Sequence, residues 1–387
     1  MDFALTEEQQ LIVKTTRDFV RQELVPHERE VEDTGRLREE LWRPIRDKAI
    51  AAGLYAANMP SEVGGAGLDA VSWVLYEKEL GYTNYALQYT CVARPSNILL
   101  ACEGGQRERY LLPAVRGERV ECLAMTEPQA GSDLRGMRTT AVQQGGDFIV
   151  NGTKHFISHA DHADFVILFA ASGEEDSARG KRKLITAFLV DKGTPGFEVL
   201  PGYRNVSHRG YNNSILQFTD CRLPKSAVLG EVHRGFEVAN TWLGATRLQV
   251  AANCLGRAER ALEAARQWAV DRVQFGQQIG KFQGVSFKLA DMVVELRAAE
   301  LLTLEAAWKL DQKAASDTDM AIAKLKATEM LAMVADEALQ IHGGMGLMTE
   351  LPLERIWRDA RIERIWDGTS EVQRHIISRA LLRPLGG

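Results

Sequence analysis

Apolar residues in this chain change their spacing twice. From Thr6 to about Gly117 they recur at helical intervals, from Val120 to about Gly230 they alternate, and from Gly235 onward the helical interval returns. A period near 3.6 buries one stripe of a helix, whereas a period of two buries one face of a strand. Helix, sheet, helix is the order this pattern predicts. The fold class is α+β: an N-terminal α-helical domain at 1–119, a compact middle antiparallel β domain at 120–234 and a C-terminal four-helix bundle at 235–387.

Local signals refine each part. Thr6 and Gln9 have capping-box spacing, and Leu11, Thr15, Phe19 and Leu24 form the buried stripe predicted for the first helix. Trp42–Leu54 and Val71–Tyr85 read as further helices, separated by the Gly64-Gly65-Ala66-Gly67 turn. In the middle, Phe148–Val150 and Lys154–Ile157 flank Asn151-Gly152, which predicts a tight hairpin because both turn positions favour positive φ. Phe165–Phe169, Ile185–Val190 and Ile215–Phe218 read as short strands, with 173–183 as a solvent-exposed excursion. No helix of useful length fits this part, which argues against a βαβ sheet. Segments near 236–271, 284–312 and 317–342 are rich in helix formers. Asp317-Thr318-Asp319 can cap the third, and Gly343-Gly344 ends it as a left-handed C-cap.

Composition narrows the function classes. Across 387 residues, 47 Lys plus Arg oppose 52 Asp plus Glu, and no basic block suits a nucleic-acid backbone. No apolar run approaches the roughly 18 residues a membrane span needs. The five cysteines are odd in number and scattered, which predicts reduced thiols and a cytoplasmic setting. Neither glycine cluster, at 64–67 or 343–346, has the preceding strand and following helix of a dinucleotide-binding turn. His155, His159 and His162 have helical spacing, but His155 falls in a predicted strand, so no metal site is expected.

Two stretches are dense in chemistry. Thr126-Glu127-Pro128-Gln129-Ala130-Gly131-Ser132-Asp133 makes a rigid turn with free amides, suited to a polar ligand edge or to an ordinary surface turn. Residues 361–374 place Asp367 directly before Gly368-Thr369-Ser370 at a helix start, where free amides gather; an N-cap with flanking salt bridges reads equally well from these residues alone.

Taken together, the motifs resemble one family. TEPQAGSD at 126–133, DFIVNGTKHFIS at 147–158, DRVQFGQQIGKFQ at 271–283, LQIHGGMG at 339–346 and IWDGTSEVQR at 365–374 are similar, in order, to those of the flavin-dependent acyl-CoA dehydrogenases. The resemblance implies a β-barrel-like form for the antiparallel middle domain, FAD as cofactor and oxidation of an acyl-CoA thioester to the 2,3-enoyl-CoA. A carboxylate takes the C2 proton while C3 gives hydride to flavin N5. Asp367 matches the catalytic position, and its amide matches the donor to the thioester oxygen. Met125, Thr126, Phe156, Ser158, Arg272, Phe275, Gln283, Gln340, Gly344, Thr369 and Glu371 match cofactor positions. Ser132, Arg247, Gly368, Tyr89 and Arg94 match or neighbour substrate positions, with Tyr85 and Cys91 also near the pocket floor. An electron-transferring flavoprotein is the implied acceptor, and a homo-oligomer, a dimer of dimers, the implied assembly.

Departures from the family pattern cluster at the same place. Asp367 stands for the usual Glu, Trp366 for Tyr, Phe156 for Trp and His159 for Asn. Gly244 occupies a site that is often acidic, and Thr246 precedes Arg247 where some branches carry the base. Arg94 reads either as the partner of a polar acyl tail or as an exposed helix-end charge. These departures leave open an atypical flavoenzyme of the same fold, an oxidase or a dehydrogenase of a branched, cyclic or hydroxylated acyl-CoA. They also leave open a non-catalytic acyl-CoA- and FAD-binding protein.

Overall fold

A computed structural model describes residues 4–177 and 180–385. The N-terminal part holds α1 (Glu7–Phe19), α2 (Glu28–Thr34), α3 (Glu39–Ala51), α4 (Ala70–Leu80), α5 (Tyr85–Cys91) and α6 (Leu112–Val115). Thr6 and Gln9 form the capping box. The buried stripe of α1 is displaced from its predicted course: Leu11 faces solvent, and Thr16, Val20 and Leu24 turn inward. A π-helical turn at Val20–Leu24 shifts the register there. Val71–Tyr85 is two helices, because Gly81 ends α4 and Asn84 caps α5. At Gly81 a Cβ would sit 2.4 Å from the Asn253 carbonyl oxygen, so α4 can approach the bundle this closely only without a side chain.

The middle part contains β1 (Glu121–Ala124), β2 (Thr140–Gln144), β3 (Asp147–Ser158), β4 (Phe165–Ser177), β5 (Gly180–Asp191), β6 (Phe197–Pro201), β7 (Asn213–Pro224) and β8 (Val228–Leu229). They form one sheet in the order β6-β7-β3-β2-β4-β5-β8, with β1 added parallel to β4. Apart from β1–β4 and a single β2–β4 pair, the ladders are antiparallel. Two sequence expectations fail here. Asn151-Gly152 is not a hairpin turn but a bulge inside the continuous strand β3. Gly152 presses against Thr139, where a Cβ would lie 2.5 Å from Oγ1. The turn falls instead at Gly145-Gly146, between β2 and β3. The supposed excursion at 173–183 extends β4 and β5 into a long hairpin, paired from Gly173–Leu184 to Ser177–Gly180; residues 178–179 lie outside the described residues.

The C-terminal part packs α7 (Gly235–Asp271), α8 (Gln283–Asp311), α9 (Asp317–His342), α10 (Leu353–Glu363) and α11 (Ser370–Leu382). The core of α7–α9 is built from small and flexible residues, among them Ala251, Ala258, Ala265, Ala299, Ala327, Met292 and Met330. Ser316, rather than Asp317, caps α9, in a capping box with Asp319. Gly343 ends α9 with φ +60 but ψ −138, so it leaves the helix without forming a left-handed cap. Among the described residues no helix is long and apolar enough to cross a membrane, and the five cysteines are free and buried.

Candidate active site

Asp367 lies in the turn between α10 and α11, half-buried, with φ +50, followed by Gly368 at φ +88. A Cβ at position 368 would fall 2.6 Å from the Gln373 amide nitrogen, so glycine is required there by space as well as by conformation. Thr369 caps α11, its hydroxyl accepting from the Val372 amide at 3.2 Å.

The Asp367 carboxyl is pushed up to about 6 by burial; Lys324, a hydrogen bond from Thr246 and the charge of Arg247 pull the other way. Thr246 and Arg247 come from α7. Arg247 reaches Asp317 at 3.4 Å, while its Nε has no acceptor among the described residues. At Gly244, one turn earlier on α7, a Cβ would meet nothing within 4 Å, so this wall is open.

Behind the turn is a buried ionic knot. Glu363 meets Arg257 and, at 3.2 Å, His208, and it accepts from the Trp366 indole at 2.7 Å. Lys324 on α9 donates to the carbonyls of Glu363, Trp366 and Gly368 at 2.8, 2.9 and 2.8 Å. Glu363 and Gln373 fall within the 361–374 stretch, whereas Lys324, His208 and Arg257 were not legible as site residues. The one available signal was a lysine on the apolar face that Met320, Ala327 and Leu331 define on α9.

Rings line the way from the turn to the sheet. Trp366 packs edge-on against Tyr85 at 5.0 Å, Tyr85 and Tyr89 each meet Tyr211 at 5.0 Å, and Tyr211 stacks on His159 at 5.6 Å. Burial raises the Tyr85 and Tyr89 phenols, and burial also holds His159 down to about 3, so its ring is neutral. Arg94 is 4% exposed and not a helix-end charge at the surface. Its guanidinium donates to the Gln88 and Val92 carbonyls at 2.9 and 2.8 Å, and its Nε lies 2.9 Å from buried Glu77.

On the sheet side, Phe156 sits at a β3 bulge with φ +55 and is 54% exposed, its ring 5.1 Å from that of Tyr203. Ser158 ends β3 beside Asn213. Met125 is in the core, so what it offers outward is backbone. Buried Lys154 donates to its carbonyl at 3.0 Å and to Glu127 at 2.8 Å. Thr126 accepts from the His155 amide at 3.0 Å, and Ser132 is exposed on the following loop. An uncovered aromatic shelf beside a loop of polar groups fits a planar tricyclic ring such as a flavin.

A second group stands apart. Arg272 just precedes a two-stranded hairpin, Val273–Gln274 with Gln277–Gln278, that joins α7 to α8; Phe275 lies in its turn and Gln283 follows it. Gln340 and Gly344 lie at the end of α9 and Glu371 on the first turn of α11; all of these residues are exposed. Phe275 is 94% exposed. Among the described residues, no hydrogen bond, ion pair or ring contact ties the hairpin to the Asp367 turn.

Residues 6–118, 122–221 and 233–382 match the N-terminal, middle and C-terminal domain models of acyl-CoA dehydrogenase. The human mitochondrial short-chain specific acyl-CoA dehydrogenase is 36% identical over 98% of this chain and 91% of that protein. The caffeyl-CoA reductase–Etf complex subunit CarC of Acetobacterium woodii is 36% identical over 98% of this chain and 99% of its own length. The butyryl-CoA dehydrogenase structure from Megasphaera elsdenii superposes with a TM-score of 0.89 at 35% identity, covering 99% of this chain and 100% of that one. The chain belongs to the acyl-CoA dehydrogenase family of FAD-dependent flavoprotein oxidoreductases.

Proposed function

We propose that this enzyme oxidises an acyl-CoA thioester to the 2,3-enoyl-CoA, with Asp367 as the base that takes the C2 proton. The observation that carries the reading is the Asp367 carboxyl itself. Burial raises its affinity for a proton to about 6 against the pull of Lys324 and Thr246, and its own backbone amide has no acceptor among the described residues. A base poised near neutral pH takes a proton best when it is charged yet not too stable. FAD, when bound, supplies the acceptor for the C3 hydride.

The chain's own residues do the rest. The Asp367 amide donates to the thioester oxygen, which lowers the cost of negative charge developing there. Thr246 hydrogen-bonds the carboxylate, and Arg247 beside it adds positive charge that favours the charged form. Tyr85, Tyr89, Tyr211 and Trp366 wall off water from the acyl group. Aspartate is one methylene shorter than glutamate, so the substrate's C2 must sit closer to this wall, by roughly 1.5 Å.

Phe156, Ser158, Met125 and Thr126 frame the flavin ring on the sheet side. Arg272, Phe275, Gln283, Gln340 and Gly344, with Thr369 and Glu371, hold the adenosine diphosphate half. Their exposure fits a site shared between subunits of a homo-oligomer. The outward face of α8, with exposed Phe287, Val294, Leu301 and Trp308 at seven-residue steps, supports such an assembly. An electron-transferring flavoprotein is the acceptor this reading favours, supported by the complex named for the Acetobacterium relative.

The test is anaerobic bleaching of the bound flavin across straight, branched, cyclic and acidic acyl-CoAs. Bleaching by one of them that Asp367→Ala abolishes supports the reading. A flavin that stays oxidised with every acyl-CoA overturns it.

A further inference from the structure

We infer that Lys324 is a positioning residue: by gripping the Trp366 carbonyl from inside the bundle, it aims the amide of Asp367 at the substrate's thioester oxygen. The inference rests on the proposed dehydrogenase reading and extends it to a residue that does not touch substrate.

The argument begins with cost. Lys324 is 0% exposed and sits on the face of α9 that otherwise carries Met320, Ala327 and Leu331. Burying an ammonium is expensive unless all its donors find acceptors. Its three donors meet three carbonyls at 2.8–2.9 Å, those of Glu363, Trp366 and Gly368. With every donor engaged, the ammonium has one orientation, and so do the carbonyls it holds.

Peptide geometry carries the effect across. No peptide bond here is cis, so the Trp366 carbonyl and the Asp367 N–H point in opposite directions across one rigid plane. Pinning the carbonyl to the bundle therefore turns the N–H out of it. Gln373 repeats the device one and two residues on, donating to the carbonyls of Asp367 and Gly368 at 3.3 and 2.9 Å. With φ +50 and +88 at Asp367 and Gly368, the turn presents its amides outward, and the Asp367 amide has no acceptor among the described residues. Successive outward amides form a concavity that suits a partial negative charge. The same lysine also sits beside the Asp367 carboxylate and favours its charged form.

A merely structural lysine would leave substrate chemistry unchanged in a folded variant, and that separates the two roles. The probe is a 3-thia-acyl-CoA, which can lose its C2 proton but has sulfur in place of the hydride-bearing carbon. Two quantities are read on FAD-loaded protein. One is the pH midpoint of the long-wavelength absorption that the deprotonated probe gives against oxidised flavin. The other is the infrared stretch of the bound, 13C-labelled thioester carbonyl.

Lys324→Met should raise the midpoint by about one unit or more, a tenfold loss in deprotonation, and return the carbonyl stretch toward its value in water. Lys324→Gln, which still donates to two carbonyls at most, should fall between and carries the test if Lys324→Met does not fold. A folded variant with unchanged midpoint and unchanged carbonyl stretch overturns the inference while leaving the base assignment intact. A wild-type protein that never deprotonates the probe, and behaves as Asp367→Asn does, overturns both.

Discussion

The Trp366 indole nitrogen donates to the Glu363 carboxylate at 2.7 Å, tying the residue beside the candidate base to the last turn of the helix that precedes it. The other Glu363 oxygen faces Arg257 and His208. Asp367 thus stands on a turn whose underside is an ion cluster closed to water, and each part of that cluster has a measurable consequence.

Glu363→Gln should leave Arg257 buried without its counter-charge. Breaking a buried pair from one side costs ~3–5 kcal/mol, so the thermal unfolding midpoint should fall by many degrees. Trp366→Phe removes the pyrrole half of the indole with its N–H and leaves a Glu363 oxygen without that donor, a smaller loss of ~1–3 kcal/mol. Equal losses in the two variants, measured by calorimetry, would contradict this assignment of roles.

Acid should weaken the fold in a defined window. Burial raises Glu363 and Glu28, but Arg257 on the first, and Arg355 and Arg260 on the second, hold both down to about 2, against 4.5 ordinarily. A folded value below the unfolded one gives stability that is complete above about 4.5 and lost as pH falls toward 2. Urea midpoints taken from pH 6 to pH 2 should drop mainly in that interval.

Flavin reduction should follow the opposite flank. Asp367 is a base only when charged, so the reductive rate should climb through about pH 6 and level above it. Thr246→Val removes a hydrogen bond to the charged form and should move the midpoint upward, as stopped-flow pH profiles would show. Asp367→Asn should keep FAD yet lose reduction by acyl-CoA.

Phe275→Ser should change assembly without changing the subunit. The ring is 94% exposed and, among the described residues, meets one other ring, that of Phe282 at 6.1 Å. Sedimentation should show weaker oligomers together with lower flavin content, and Arg272→Ala should do the same. Full flavin in a weakened oligomer would separate the cofactor site from the interface.

Gly81→Ala tests the seam between the first and last parts of the chain. With a Cβ 2.4 Å from the Asn253 carbonyl oxygen, one of the two helices must shift. Overpacking of this kind costs ~1–3 kcal/mol, readable from denaturant melts.

Periodicity made the layers legible because burial imposes it: the long helices begin and end within a residue or two of their sequence reading. Where the reading failed, tertiary contact had overridden local preference. Asn151-Gly152 looks like a hairpin turn, but β2 and β7 flank β3 on both sides and keep it extended through that dipeptide. The polar 173–183 stretch pairs with itself, which composition does not disclose. At the site, Asp367 stood out because its motif is local. Arg94 did not disclose that it neutralises Glu77, seventeen residues away in sequence, nor Lys324 that its acceptors lie forty residues downstream, since sequence shows charge without showing partners.

The lysine under the turn also bears on how the protein matures. Its acceptors lie at residues 363–368, past the last strand and all three long helices, so a nascent chain halted short of them closes its bundle over a naked cation. Forming the Asp367 turn and satisfying the ammonium inside the bundle are thereby coupled through the same three carbonyls.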